Sequence, residues 1–233
     1  MNRGNWRIAR IGGVDILIGP SLLIMGVLLV LLFAPRFQDG GLGGDGTTSG
    51  YLGAALFVLG LYLSVFLHEV AHLVAAKSFG LSVRSITLHI LGGETAIDSP
   101  SRTPVQEFVI AVVGPLASLT IGIACVFVDS GGAVVAALGW INIVLGVFNL
   151  LPGLPLDGGR ALRATIWQVS GRPDAGTRLA AWAGRLIAVA LVVATLLRVD
   201  FDGPTWTVDL AFAVLVAWFL WEGAGHALSA ARR

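Results

Sequence analysis

The chain has 233 residues, 56% of them hydrophobic and 12% charged, with a mean hydropathy of +0.85 and a formal net charge of +1. A soluble domain carries about 25% charged residues, so the composition excludes an ordinary soluble protein and points to an integral membrane protein. The small net charge and scattered basic residues give no nucleic-acid signal, and the single cysteine, Cys125, excludes an internal disulfide or a Cys-rich metal site.

A membrane helix needs about 20 mainly apolar residues. The first such run is Ile16 to Pro35, preceded by Arg3, Arg7 and Arg10. It exceeds the roughly 7–15 residues of a signal-peptide core and no small-residue cleavage site follows, so it reads as a retained helix. Gly40 to Gly50 (GGLGGDGTTSG) reads as a flexible outer loop. The second run, Gly46 to Leu67, leads directly into His68-Glu69-Val70-Ala71-His72.

This is H-E-x-x-H. On a helix, positions i and i+4 share a face, so both imidazoles can reach one metal. Glu69, one residue on, falls beside the metal, where a carboxylate can act as general base toward water. Zinc suits such a site because it makes hydroxide available near neutral pH. An ionisable side chain in mid-membrane costs about 2.5–3.5 kcal/mol even on the lenient scale, so the default reading of the three is functional. A catalytic zinc usually takes a third protein ligand. His89 and His226 are candidates, and the better one lies in the fourth span.

Val83 to Asp98 alternates imperfectly and reads as a short hairpin or re-entrant strand turning at Gly92-Gly93. Its edge could pair with an extended substrate segment, or it could be a hairpin at the membrane surface. Thr103-Pro104-Val105-Gln106 has the residues of a helix N-cap, Pro in the first turn and a capping Gln. It opens the third span, Phe108 to Val128, in which Cys125 reads as a small buried hydrophobe.

The fourth run, Ser130 to Leu156, ends in NLLPGLPLDGGR. Pro152 and Pro155 remove backbone donors and interrupt a continuous helix; the glycines allow close turns. Broken backbone at membrane depth is tolerated only where it is buried or lines a wet cavity. The fourth helix is therefore expected to break here and present Asp157 inward, the alternative being a turn capped by Asp157 with Arg160 nearby. Two weaker runs follow, at about Leu179 to Leu197 and Thr205 to Gly223. Arg185 lies near enough to the start of the former to snorkel to the interface, and Glu222 and His226 are spaced to pair with each other.

The expected fold class is thus an all-α polytopic membrane protein, with about six transmembrane helices and a small β-hairpin or re-entrant segment between the second and third. Arg3, Arg7, Arg10, Lys77, Arg84, Arg102, Arg160, Arg163, Arg172, Arg178, Arg232 and Arg233 fall on one side of a six-span layout. Only Arg36 and Arg198, with Asp39, Asp45, Asp129, Asp200 and Asp202, fall on the other. By the positive-inside rule both termini are cytoplasmic, in a cell (plasma or inner) membrane.

HEVAH in an early span together with a later N-x-x-P-x-x-P-x-D-G segment resembles the site-2 protease family of intramembrane zinc metalloproteases (peptidase M50-like). LHILGGETAIDS, GPLAS and the opening GVDILIGPSLLIMGVLLVLLF are similar to that family as well. The resemblance implies one Zn2+ per chain held by His68, His72 and Asp157, Glu69 as general base, and Asn149 as a polar group for the substrate carbonyl or oxyanion. On chemistry alone Asn149 serves equally as an interhelical hydrogen-bonding residue. The implied activity is hydrolysis of peptide bonds in transmembrane protein substrates within the lipid bilayer. The rival is a membrane metal transporter or metal-sensing protein using the same His/His/Asp site. Many relatives carry a PDZ domain or a CBS pair; neither is read here, and residues 1–233 are expected to form one intramembrane metalloprotease core. Glu94 stands where relatives often have an apolar residue. Substrate identity and oligomeric state are not legible.

Overall fold

The computed structural model describes residues 5–11, 13–38, 47–89, 92–97, 101–128, 132–200 and 206–231. Six helices are long and apolar enough to cross a membrane: Pro20–Phe37, Thr48–Ser78, Pro104–Phe127, Gly132–Asn149, Pro173–Arg198 and Trp206–Ala230. The expected number of spans is met, and the protein is a multi-pass membrane protein. Its helices carry large apolar side chains outward, among them Leu23, Ile24, Val27 and Leu28 on the first and Leu186, Val189 and Leu197 on the fifth. In water such surfaces would be costly; against lipid tails they are the ground state.

Contacts divide the chain into two compact units, residues 1–101 with 113–147, and 102–112 with 148–233. In the first, strands β1 (Trp6–Ile11) and β2 (Val14–Ile18) precede α1 (Pro20–Phe33). A 3₁₀ turn at Ala34–Phe37 follows, then α2 (Thr47–Ser78), β3 (Val83–His89) and β4 (Gly92–Ile97). Most of α3 (Pro104–Phe127) and of α4 (Gly132–Asn149) also belong to this unit. The sheet order is β1-β2-β3-β4, with β2 and β3 parallel and the outer pairs antiparallel.

The hairpin expected between the second and third spans is present, but it is half of a larger sheet. The first span begins at Pro20 and not at Ile16, because Val14–Ile18 is a strand paired with β1 and β3. Gly13, at φ +83°, sits in the two-residue connection between paired Ile11 and Val14, a conformation that favours glycine. Gly92 and Gly93 do not make the second turn: they lie in β4 opposite His89 and Leu88. Residues 90–91, which join β3 to β4, are outside the described residues. So are 39–46 of the expected outer loop, whereas Thr47–Gly50 already belongs to α2. Arg3, Asp129, Asp202, Arg232 and Arg233 are likewise not described.

Phe33, Phe37 and Phe57 stack at 5.1 and 5.8 Å between centroids and help close α1 and the 3₁₀ turn on α2. Tyr62 donates a 2.7 Å hydrogen bond to the carbonyl of Leu22. α3 and α4 pack through glycine: a Cβ at Gly122 would come 2.8 Å from the Ile143 nitrogen, and one at Gly139 would touch Cys125 at 3.2 Å. Cys125 is half-buried there, less than the full burial expected of it. The N-cap of α3 holds as read: Gln106 N–H donates to Thr103 Oγ1, and Gln106 Oε1 accepts from Arg102 N–H.

The second unit contains the start of α3 and the end of α4. It continues with α5 (Asp157–Ser170), α6 (Pro173–Arg198) and α7 (Trp206–Ala230). The fourth span ends at Asn149 and not at Leu156; residues 150–156 are non-helical, so the break at the prolines is real. The segment is pinned to α6 by a hydrogen bond from Leu154 N–H to the Ala180 carbonyl. Gly184 admits the Leu154 carbonyl, and Ala180, Ala181 and Ala224 pack on Leu154. The fourth-to-fifth connection, which carries no apolar run in the sequence, holds the amphipathic helix α5.

Candidate functional site

α2 carries the H-E-x-x-H stretch in regular helix, and all three ionisable side chains are buried, with 5, 6 and 4% exposure for His68, Glu69 and His72. The Nε2 atoms of His68 and His72 are 3.1 Å apart. Their potential donor atoms and those of Glu69 all lie within 4.8 Å of one another. Two nitrogens each about 2.0–2.1 Å from one tetrahedral zinc lie about 3.3 Å apart, so the two imidazoles are already close to the bite of a shared metal. Among the described residues, no other group of three His, Cys, Asp or Glu side chains is so placed.

The rings need room, and α3 supplies it. A Cβ at Gly114 would overlap His72 Nε2 and stand 2.7 Å from His68 Nε2. One turn on, Ser118 is fully buried and its Oγ is 3.0 Å from His68 Nδ1. That hydrogen bond orients the ring so that Nε2 is the nitrogen that could hold a metal, as outer-shell partners do for histidine ligands. Gly114 and Ser118 are the ends of GPLAS. Their spacing of four puts them on one face of α3.

The sheet serves Glu69. Thr95 of β4 donates a 2.7 Å hydrogen bond to Glu69 Oε2, and its hydroxyl is also 3.3 Å from the Glu69 carbonyl. A Cβ at Gly93 would stand 2.8 Å from both the carboxyl carbon and Oε1 of Glu69. Alternation along the strand turns Gly93 and Thr95 toward Glu69 and leaves Glu94 exposed. Glu94 therefore lies on the face away from Glu69, opposite Thr87 of β3. β4 is the edge of the described sheet.

Further from the sheet, α2 and α4 share a buried polar contact: Asn142, fully buried, donates 3.0 Å to Ser64 Oγ, one turn before His68. None of Gly93, Thr95, Gly114 and Ser118 was singled out individually in the sequence, although GGET and GPLAS mark their segments.

In the second unit, Asp157 is the first residue of α5 and its side chain is 13% exposed. Arg160 Nη1 lies 3.8 Å from Asp157 Oδ1, and Arg160 Nε donates to Glu107 at 3.2 Å. Asp157-Gly158-Gly159 needs its glycines, because a Cβ at either would overlap backbone of residues 150–154. Asn149 is half-buried at the last position of α4. His226 is 84% exposed and lies 4.0 Å from Glu222, the pairing expected from spacing, which makes it a poor third ligand. The side chain of His89 lies outside the described part.

The model of peptidase family M50 matches residues 56–131 and 129–193. A protein of Synechocystis sp. named as a zinc metalloprotease is 33% identical over 95% of this chain and 59% of its own length. A Mycobacterium tuberculosis protein named likewise is 37% identical over 77% of this chain and 49% of its own. The chain thus spans about half to three-fifths of the length of these relatives. The solved site-2 protease from Methanocaldococcus jannaschii superposes with a TM-score of 0.65 at 26% identity, covering 96% of this chain and 95% of that one. With HEVAH and the buried histidine pair inside the matched region, this membrane protein belongs to peptidase family M50, the site-2 protease family.

Proposed function

We propose that the protein is an intramembrane zinc endopeptidase that cleaves transmembrane protein substrates, with His68, His72 and Asp157 as metal ligands and Glu69 as general base. The observation that carries the reading is the buried His68–Glu69–His72 cluster, with Gly114 clearing the two imidazoles and Thr95 holding the carboxylate. A carboxylate held in place beside the two imidazoles has a ready role as proton acceptor and donor in hydrolysis. Family membership and the names of the relatives point the same way. For Asp157 the support is its motif and its half-buried place at the helix break; for Asn149 it is the motif alone.

Zinc, when bound, supplies a Lewis acid that polarises the scissile carbonyl and makes water acidic enough to lose a proton near neutral pH. Glu69 takes the proton from the attacking water and then delivers it to the leaving amine. Thr95 and Gly93 hold its carboxyl in one place for both transfers. Asn149 donates to the carbonyl oxygen as negative charge develops there. The outer edge of β4, unpaired among the described residues, belongs to the strand that touches Glu69 and is suited to receive an extended substrate segment by strand addition. The arginine bias puts both termini in the cytoplasm, in a plasma or inner membrane.

The test is cleavage of a single-span substrate by purified protein, wild type against Glu69→Gln, at matched zinc content. Cleavage by wild type alone is expected. Zinc bound to both with no cleavage by either, across several substrates, would move the reading to a transporter or metal sensor.

A further inference from the structure

Two arginines of α6 have no part in the chemistry above. Arg178 and Arg185 are spaced at i, i+7 and line one cavity of about 190 Å3 with Trp182 of α6 and Gly225 and Ser229 of α7. Neither makes an ion pair among the described residues. The Arg185 Nε is buried with no hydrogen-bond partner, while its guanidinium lies over the rings of Trp182 at 5.1 Å and Trp221 at 4.7 Å. Elsewhere in this unit arginines find carboxylates: Arg160 and Arg163 both reach Glu107. An arginine held between two tryptophans, lining a cavity and with no ion pair among the described residues, is arranged for an anion that comes from outside the chain.

The same two helices continue as an apolar groove of about 400 Å3, lined by Val189, Val192 and Val193 of α6 and by Ala217, Trp218 and Trp221 of α7. Trp221 belongs to both features, its ring under Arg185 and its edge on the groove. Arg178, Trp182, Arg185, Val189 and Val192 follow one another at steps of four and three along a single stripe of α6. From Arg178 to Val193 the stripe runs about 22 Å at 1.5 Å per residue. Two arginines flank Trp182 in its first half, and its second half is aliphatic.

We propose that this surface binds one anionic phospholipid. Its phosphate sits on Arg178 and Arg185, its glycerol level lies at Trp182 and Trp221, and one acyl chain lies in the valine groove. Charge complementarity selects the occupant: a zwitterionic headgroup brings its own cation to the arginines, and a substrate helix would leave them unmatched. The lipid belongs to the leaflet at the start of α6 and the end of α7, which the charge bias makes the cytoplasmic one. The proposal does not depend on the peptidase reading.

The experiment is titration of the purified full chain, in a neutral detergent, with phosphatidylglycerol, read by native mass spectrometry and by thermal shift. Wild type is expected to retain one phosphatidylglycerol per chain saturably and to be stabilised by it. Phosphatidylcholine and inorganic phosphate at equal concentration should do neither. Arg178→Gln, at an exposed position, and Arg185→Gln should each weaken retention by about tenfold or more, the loss of a charge-assisted contact. Val192→Trp, which fills the groove and leaves the arginines, should weaken it as well. Arg36→Gln, an arginine on another helix, should change nothing. Equal retention of phosphatidylcholine, or loss with Arg36→Gln, would reduce the arginines to generic interface residues and overturn the proposal. Stabilisation by phosphate alone, unchanged in Val192→Trp, would make this a free-anion site. Retention of a single-span helical peptide in place of lipid would make it a protein-docking face.

Discussion

Thr95 donates a 2.7 Å hydrogen bond to Glu69 Oε2, bridging 26 residues of chain from the edge strand of the sheet to the middle of the metal-site motif. In the proposed role of Glu69 as base, a carboxyl that takes up a proton and then releases it works best when it cannot rotate away. Removing the hydroxyl in Thr95→Val keeps the strand shape and takes the donor. A hydrogen bond to a charged group contributes about 1.5–3 kcal/mol, so peptidase activity should fall by about 10- to 100-fold, mostly in kcat. Zinc content should stay at the wild-type level, because Thr95 touches neither imidazole. Equal losses of zinc and activity would show that β4 supports the whole site and not its carboxylate.

Gly114 and Gly93 separate the two halves of the site. A Cβ at Gly114 enters the space between the imidazoles, whereas one at Gly93 meets only Glu69. Gly114→Ala is therefore expected to lose zinc, and Gly93→Ala to keep zinc and lose activity. Atomic absorption on the purified variants, beside a cleavage assay, decides this. A third reading comes from chelation. A metal bound only by the native state stabilises it in proportion to its affinity. Stripping the metal should lower the thermal midpoint of wild type and Gly93→Ala and leave that of Gly114→Ala unmoved.

The parts of this site differ in how visible they are from sequence. HEVAH is legible because its geometry is local: one helix and one i, i+4 step bring both imidazoles together. The β3–β4 hairpin shows in its alternation. β1 and β2 do not, because ILIGPSLL runs without a charge from strand into helix and reads as a single span; Gly12-Gly13 is the turn signal before it. α5 is hidden because its amphipathic fourteen residues sit among the charges of a connecting loop. Gly114, Ser118, Gly93 and Thr95 are small residues whose work is done across long sequence separations. Spacing cannot assign them; only the likeness of GPLAS and GGET to the family marked where to look.

Ser118 supports one of the two proposed histidine ligands and not the other. Its Oγ bonds His68 Nδ1 at 3.0 Å, from a fully buried position in α3. Ser118→Ala leaves the ring nitrogen without that partner and loosens the tautomer that presents Nε2. Outer-shell losses of this kind typically cost about 10- to 100-fold in metal affinity. Competition with a chelator of known affinity should show this drop for Ser118→Ala. At saturating zinc, kcat should recover most of its wild-type value, since Glu69 and Thr95 are untouched. A variant that stays slow when fully loaded would place Ser118 in the chemistry itself.

Glu107 is the anchor of the second unit. It is 4% exposed in the first turn of α3, and its Oε1 accepts from Arg160 at 3.2 Å and from Arg163 at 3.4 Å. Arg160 also lies 3.8 Å from Asp157 Oδ1, so one guanidinium ties the start of α5 to the start of α3. Glu107→Ala would remove the carboxylate that two arginines share and leave Arg160 only its longer contact to Asp157, a larger penalty than removing an arginine alone. The single change is expected to destabilise by about 2–4 kcal/mol, read as a lowered thermal midpoint in detergent. Arg160→Ala should cost less, since Arg163 still serves Glu107. Residues sharing one network are not additive, and combining Glu107→Ala with Arg160→Ala should cost less than the two separate losses together, by about 1 kcal/mol or more. Strict additivity would mean that Glu107 is held by Arg163 alone, leaving Arg160 to position Asp157.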